Sequence, residues 1–280
     1  MKDKICIVTG ANAGVGKATV KQLVESDIHV VMVVRNEEKG KQALEEIKAE
    51  TGKKPMEIMI CDYASQESIR NFTTEFKKRY KKLHILINNH GLMTNKKRLT
   101  DDGFESTFGV NHLGYFLHTN LLLDVIKKTP GARIINVSSG AHAGTRRFNL
   151  DDYNFEKRKF FSFSAYADSK LYNIMFTYYL ADKLKDAGIT VNTYSPGFTR
   201  TNFNNYSTAM KIMTFFMRPL MRSADKAAKT ATYLATSEEV ADVTGKFFED
   251  MKEKTTSDLS YDKELQKQLW EVSEKLTKKN

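Results

Sequence analysis

A chain of 280 residues with 41% apolar side chains, four prolines and two cysteines can bury one large core and is too poor in cysteine for a disulfide framework. Its net charge of +10 is spread along the sequence. The densest run, KKRYKKLH at 77–84, falls where a helix would end and cations suit its dipole; without a zinc-finger spacing or an aromatic RNA-binding motif, nucleic acid is not an expected partner.

From the start of the chain, KICIVT (4–9) reads as a strand, a glycine turn follows, and a helix runs over about 15–26. IHVVMVV (28–34) is a second strand, followed by a charged helix over 37–51, a strand at 56–61 and a helix near 66–80. HILINN (84–89) is a fourth strand, and a long helix covers 104–127. ARIINVSS (132–139) is a fifth strand, and a loop leads to a helix that carries Tyr166 and ends near Ala187-Gly188. ITVNTYS (189–195) is a sixth strand, and GKFF (245–248) a seventh. Strands this apolar have both sheet faces covered, and strict alternation with helices implies a parallel, doubly wound α/β sheet. The expectation is therefore a single Rossmann-like domain over 1–280, with about seven strands and ligands at their carboxyl ends. Cys6 and Cys61 sit in strand-like runs and read as buried thiols. MKDKICIVTG enters a strand almost at once, and the longest apolar run is far short of a bilayer span, so a soluble cytoplasmic protein is expected.

TGANAGVGK (9–17) follows a strand and opens a helix. Gly10, Gly14 and Gly16 allow a tight turn and close backbone approach, and with Asn12 and Val15 they offer a dinucleotide phosphate the free N–H groups of a helix start. The second strand ends at Val34-Arg35, where a carboxylate would select NAD; a guanidinium there, with Lys39 and Lys41 nearby, suits the 2′-phosphate of NADP(H). The other reading has Arg35 in solvent and Glu37 or Glu38 at the ribose. Asp62, past the third strand, is placed to accept from an adenine amine or to cap a helix.

In SAYADSK (164–170), Tyr166 and Lys170 share a helix face. A tyrosine hydroxyl titrates near 10, and a fixed ammonium close by favours the phenolate, which would make a tuned acid/base; alone, the pair also fits two neighbours on a solvated helix.

Four features converge: the glycine turn, NNHG at 88–91, Ser139 at the end of the fifth strand, and Tyr166 with Lys170. Together they resemble the short-chain dehydrogenase/reductase family over residues 4 to about 250. DGFE, GVNHLGYFL, INVSSGAH, the run at 169–177, YLATSEEV and LWEVSEKL narrow the resemblance to its retinol dehydrogenase-like branch. The resemblance implies NADP(H) and an apolar aldehyde or ketone interconverted with its alcohol. It makes Tyr166 the general acid/base, Lys170 the residue that lowers its pKa and holds the nicotinamide ribose, and Ser139 the hydrogen-bond donor to the carbonyl, with Ser138 as competitor. It gives Asn111 a water linking Lys170 to solvent. It places Asn89, Gly91, Pro196, Gly197, and Thr199 or Thr201 against the cofactor. It also implies a homodimer through the helices at 104–127 and 166–187, with Tyr172, Met175, Tyr178 and Tyr179 on the shared face. His90 departs from the family's usual alanine, Ser26-Asp27 lacks its usual glycine, and the N-terminal membrane helix of many branch members is not expected here. A non-catalytic NADP(H)-binding sensor is the competing class.

The segment 198–226 is rich in Met and Phe (Met210, Met213, Phe215, Phe216, Met217, Met221) and reads as a lid over an apolar substrate. A core helix is a second reading. A third, with Lys211, Arg218 and Arg222 interleaved, is peripheral contact with a membrane surface. Phe160, Phe161 and Phe163 are expected near the active-site mouth. His112 and His118 are six apart, and no metal site is expected.

Overall fold

The computed structural model of the chain describes residues 3–54, 56–148, 150–199 and 221–278. Thr201 and most of the expected lid lie outside the described residues.

Seven parallel strands, β1 (Ile5–Thr9), β2 (His29–Val34), β3 (Met56–Ile60), β4 (Ile85–Asn88), β5 (Arg133–Val137), β6 (Thr190–Tyr194) and β7 (Phe247–Glu249), and an eighth, β8 (Lys252–Lys254), form one sheet. Its order is β3-β2-β1-β4-β5-β6-β7-β8, and only the last pair is antiparallel. The chain crosses from one side of β1 to the other after β3, so a cleft opens at the carboxyl ends of β1 and β4. The eighth strand exceeds the expected seven. Its sequence, KEK, is charged and fully exposed, so it carries no apolar signal; a tight turn at Asp250 and Met251, both with positive φ, folds it back on β7.

Helices α1 (Gly14–Glu25), α2 (Glu37–Thr51) and α7 (Ala224–Thr236) cover one face, over Val8, Met32 and Ile87. On the other, α3 (Gln66–Arg79), α5 (Gly114–Ile126) and α6 (Ser162–Leu184) cover Ile7, Val31 and Ile134. Both cysteines are buried and free. Among the described residues no helix is long and apolar enough to cross a membrane.

The long helix expected over 104–127 is interrupted. A short helix α4 (Ser106–Phe108) runs into a π turn (Gly109–Leu113) before α5 begins. Glu105 starts it: its buried carboxylate accepts from the N–H groups of Thr107 and Phe108, both at 2.9 Å. The π turn inserts one residue at the position of Asn111, a device that often marks functional sites.

A helix not foreseen from the sequence, α8 (Lys263–Thr277), closes the chain against α5 and α6. Trp270 packs on Phe116 and Phe176 at centroid separations of 4.8 and 6.0 Å, and Lys183 lies over the indole at 4.9 Å. This corrects the expected shared face of a dimer: Tyr172, Met175 and Tyr178 are buried within the chain itself. α6 is buried nearly all round, covered by the sheet inside and by α8 outside.

Candidate active site

The glycine turn is built by contacts at Gly16. A Cβ there would come within 2.4 Å of the Gly10 carbonyl oxygen and 2.5 Å of Asn89 Nδ2, so only glycine lets the start of α1 lie on the turn. Asn89 donates Nδ2 to the Thr9 carbonyl at 2.7 Å, which locks the loop after β4 against the turn. Ala13, the residue before α1, gives no side-chain cap, so the first N–H groups of the helix are left to a ligand. Asn12 is half-buried beside them, and Val15 is packed against α7 with Ala227 and Ala228.

Arg35 and Lys39 are exposed just past β2, and among the described residues neither forms an ion pair. Glu37, the rival for the ribose, is paired with Lys41 at 2.7 Å. Asn36 caps α2 by accepting from the N–H of Lys39 at 2.9 Å. Asp62 does not cap α3: Ser65 does, while Asp62 accepts from the N–H of Ala64 at 3.0 Å in a local turn.

His90 is a satisfied buried residue, not a ligand facing the cleft. Its Nε2–H donates to the Val110 carbonyl at 3.0 Å, which leaves Nδ1 to accept from the Thr9 hydroxyl at 2.8 Å. The ring stacks on Tyr63 with centroids 3.4 Å apart. Burial holds the imidazole well below its usual pKa, with His118 and Lys170 adding to the shift. Gly114 makes this possible, since a Cβ there would meet His90 Nε2 at 3.1 Å and Tyr63 at 3.2 Å.

β5 delivers the serine pair. Ser138 is buried and donates its hydroxyl to the Lys170 carbonyl at 2.7 Å. Ser139 is half-buried, and its Oγ accepts from the N–H of Ala141 at 3.2 Å. Lys170 is 3% exposed, and Nζ donates to the Val137 carbonyl at 3.1 Å. The same amine lies 5.5 Å from the Tyr166 ring centre and 5.9 Å from that of Tyr115. Burial lowers its pKa from 10.5 to about 7. Gly91 lies against this amine: a Cβ there would stand 3.6 Å from Nζ and 3.4 Å from Asn111 Oδ1.

Asn111 is fully buried. Its Oδ1 accepts from the N–H of Leu92 at 2.8 Å, and Nδ2 donates to the Leu92 carbonyl at 2.9 Å and to Ser169 Oγ at 3.0 Å. Both amide protons are committed, so the side chain clamps the loop after β4 to α6.

At the end of β6, Pro196 and Gly197 are half-buried and Thr199 is buried beside Arg222, which grips Asp250 through two bonds of 2.6 and 2.7 Å. Phe163 lies over Gly144, 2.9 Å from where a Cβ would be, and Phe161 and Phe163 are both more than half exposed. Sequence reasoning missed Asn136 and Asn173 and gave no separate role to Thr9 and Asn88; all four hold the strand ends from inside. Asn88 donates to Asn136 Oδ1 at 2.8 Å, its partner in register across β4 and β5. No local pattern announces such pairs. Among the described residues no group of side chains could hold a metal ion.

Residues 4–212 match the short chain dehydrogenase family. Human retinol dehydrogenase 13 is 40% identical over 98% of this chain and 84% of its own length. Human polyprenol dehydrogenase is 38% identical over 98% of this chain and 85% of its own. Among solved structures, an uncharacterised Mycobacterium paratuberculosis protein superposes with a TM-score of 0.80 at 30% identity, covering 99% of this chain and 94% of its own. A Shigella flexneri short chain dehydrogenase complexed with NADP gives 0.70 at 22% identity, over 90% of this chain and 98% of its own. By this family match over most of its length and by its identity to the retinol dehydrogenases, the chain belongs to the oxidoreductases of the short-chain dehydrogenase/reductase family, in its retinol dehydrogenase-like branch.

Proposed function

We propose that the protein interconverts an apolar aldehyde or ketone and its alcohol with NADP(H). The observation that carries this is Lys170, a buried amine with no ion pair among the described residues, held by the Val137 carbonyl beside Tyr166. A lysine is buried at this cost where its charge does something.

The cleft fits a dinucleotide: the Gly10–Gly16 contact leaves backbone where a phosphate would approach, α1 is uncapped, and Gly91 gives room in front of Lys170. Gly10, Asn12, Gly14, Val15 and Gly16 would hold the phosphates, Asp62 the adenine, and Asn89, Gly91, Pro196, Gly197 and Thr199 the nicotinamide half. Arg35, with Lys39, would read a 2′-phosphate. The cofactor, when bound, supplies or accepts the hydride. Tyr166 gives a proton to the carbonyl oxygen in reduction and takes it back in oxidation. Lys170 favours the phenolate by its charge and binds ribose hydroxyls. Ser139 donates to the same oxygen and steadies the developing alkoxide. Asn111 holds the Leu92 loop in place for all three.

Retinol and polyprenol, in the relatives' names, are long apolar alcohols, and exposed Phe161 and Phe163 would receive such a chain at the mouth. The same rim, with Lys159 over the Phe161 ring at 5.6 Å, is where peripheral contact with a membrane would form. A homodimer through α5 and α6 would have to seat its partner beside α8.

The test is NADPH against NADH consumption by purified protein, with retinal, a medium-chain aldehyde and a steroid ketone. Turnover preferring NADPH supports the reading. NADPH binding with no turnover of any carbonyl would move the protein to the class of non-catalytic sensors.

A further inference from the structure

A buried histidine joins the Ser139 turn to the segment that follows β8. Ser139 opens a 3₁₀ turn over Gly140–Gly144, and His142 lies on that turn. Its Nδ1 is 2.8 Å from the Ser139 carbonyl oxygen, and its Nε2 is 3.3 Å from the backbone nitrogen of Ser257. A carbonyl oxygen only accepts and a backbone N–H only donates. The ring is therefore neutral: Nδ1–H donates to Ser139, and Nε2 accepts from Ser257. The other tautomer would set two acceptors against each other at Ser139 and two donors at Ser257. Burial also favours the neutral ring, against the pull of the Ser139 carbonyl. Phe247 of β7 packs on the imidazole at a centroid distance of 5.4 Å.

The Ser257 end of this bridge is anchored to α6. The neighbouring Thr256 Oγ1 lies 3.1 Å from the Tyr178 hydroxyl, and Tyr261 stacks on the Tyr178 ring at 5.5 Å. The Tyr261 hydroxyl accepts from the N–H of Thr256 at 3.0 Å. Tyr178 stands on the helix that carries Tyr166 and Lys170. A path of direct contacts thus runs from Ser139 through His142 and the 256–261 segment to α6. The backbone N–H of His142 also donates to the Ser139 carbonyl, at 3.1 Å, so the turn has its own bond. What the ring adds is the link to Ser257.

We propose that His142 is a positioning residue for Ser139: its ring, pinned by the Ser257 N–H, fixes the Ser139 carbonyl and with it the spacing between the Ser139 and Tyr166 hydroxyls. The proposal rests on the reading above, in which these two hydroxyls meet one carbonyl oxygen. A donor to a developing alkoxide is effective only when held within about 0.5 Å of its place.

The test has a spectroscopic and a kinetic arm. In protein carrying 15N-labelled histidine, the resonances lost in His142→Asn should show a neutral ring protonated on Nδ1, whereas a free imidazole in water favours Nε2. Ser257 has φ −65°, the angle of proline, so Ser257→Pro removes the N–H without straining its own backbone. It should shift the His142 ring resonances. Both His142→Phe and Ser257→Pro should lower kcat about 3- to 10-fold, with the KM for cofactor within about twofold. Ser257→Ala, which keeps the N–H, is the reference for the proline variant. His142→Asn, whose amide can still donate to Ser139, should keep more of kcat than His142→Phe. A wild-type ring protonated on Nε2, or an unchanged kcat in both His142→Phe and Ser257→Pro, would overturn the proposal. If His142→Phe does not fold, the Ser257→Pro and Ser257→Ala pair decides. Wild-type protein that turns over no carbonyl would defeat the functional reading, while the ring tautomer and its response to Ser257→Pro would still judge the bridge.

Discussion

Ser138 donates its hydroxyl proton to the backbone carbonyl of Lys170, 2.7 Å away. One residue later, Ser139 is only half-buried and accepts from the N–H of Ala141. In a strand, neighbouring side chains face opposite ways, so two adjacent serines divide into a structural tie and a candidate donor. Ser139→Ala should therefore lower kcat by about 10²-fold or more with little change in melting temperature. Ser138→Ala should do the reverse, costing about 1 kcal/mol of stability and leaving kcat within a few fold. Steady-state kinetics and thermal melts on the two variants settle the division; equal kinetic losses would reject it.

Lys170 makes a prediction with a definite sign. Its folded pKa, about 7, lies below the 10.5 of an unfolded lysine. Between those values the unfolded state binds more protons, so stability rises with pH across that window. At pH 6–7 the desolvation cost is present in full, on the order of a few kcal/mol. Lys170→Met should be more stable than wild type there, with the advantage shrinking towards pH 10, while turnover falls by about 10²-fold or more. Urea unfolding of both proteins at pH 7 and pH 10 measures it. A variant less stable than wild type at pH 7 would contradict the assignment.

Of the four buried histidines among the described residues, three act most strongly on the acid side. His112 and His118 are pushed down to about 3 and His90 well below 6.5, all chiefly by burial. A base with a lowered folded pKa contributes stability above the unfolded value, and that stability is lost as pH falls below about 6.5. The limiting slope is about 1.4 kcal/mol per pH unit for each histidine. Denaturant midpoints from pH 7 to pH 5 should fall accordingly, and a triple variant with apolar replacements should lose most of the slope if it folds. His90→Ala alone should cost about 2–4 kcal/mol, since it empties the stack on Tyr63 and strands the Thr9 and Val110 contacts.

Arg35 is the residue proposed to read the 2′-phosphate. Exposed and without an ion pair among the described residues, it has no structural duty at the end of β2. Arg35→Ser should raise the KM for NADPH about 10- to 100-fold and leave that for NADH within a few fold. Parallel titrations with the two cofactors read the ratio, and an unchanged ratio would hand the role to Lys39 or to no residue at all.

Much of the cleft could be read from the chain because its requirements are local. A turn against a helix start needs glycine at 10, 14 and 16; a shared helix face needs a spacing of four between Tyr166 and Lys170. Apolar runs of strand length, alternating with helices, were enough for a parallel sheet and its carboxyl-edge cleft. Other features depend on partners distant in sequence. The π turn at Asn111, the inward Ser138, the neutral His90 under Tyr63, and Asn88 beside Asn136 are set by atoms that meet only after the sheet closes. The charged strand at 252–254 has no apolar face to betray it; it exists because a turn brings it to β7. α6 mixes apolar residues with Asp168, Lys170 and Asn173 and is nonetheless buried nearly all round. Hydrophobicity has no direction and names no partner, so only the packed structure could decide that the cover is the chain's own α8.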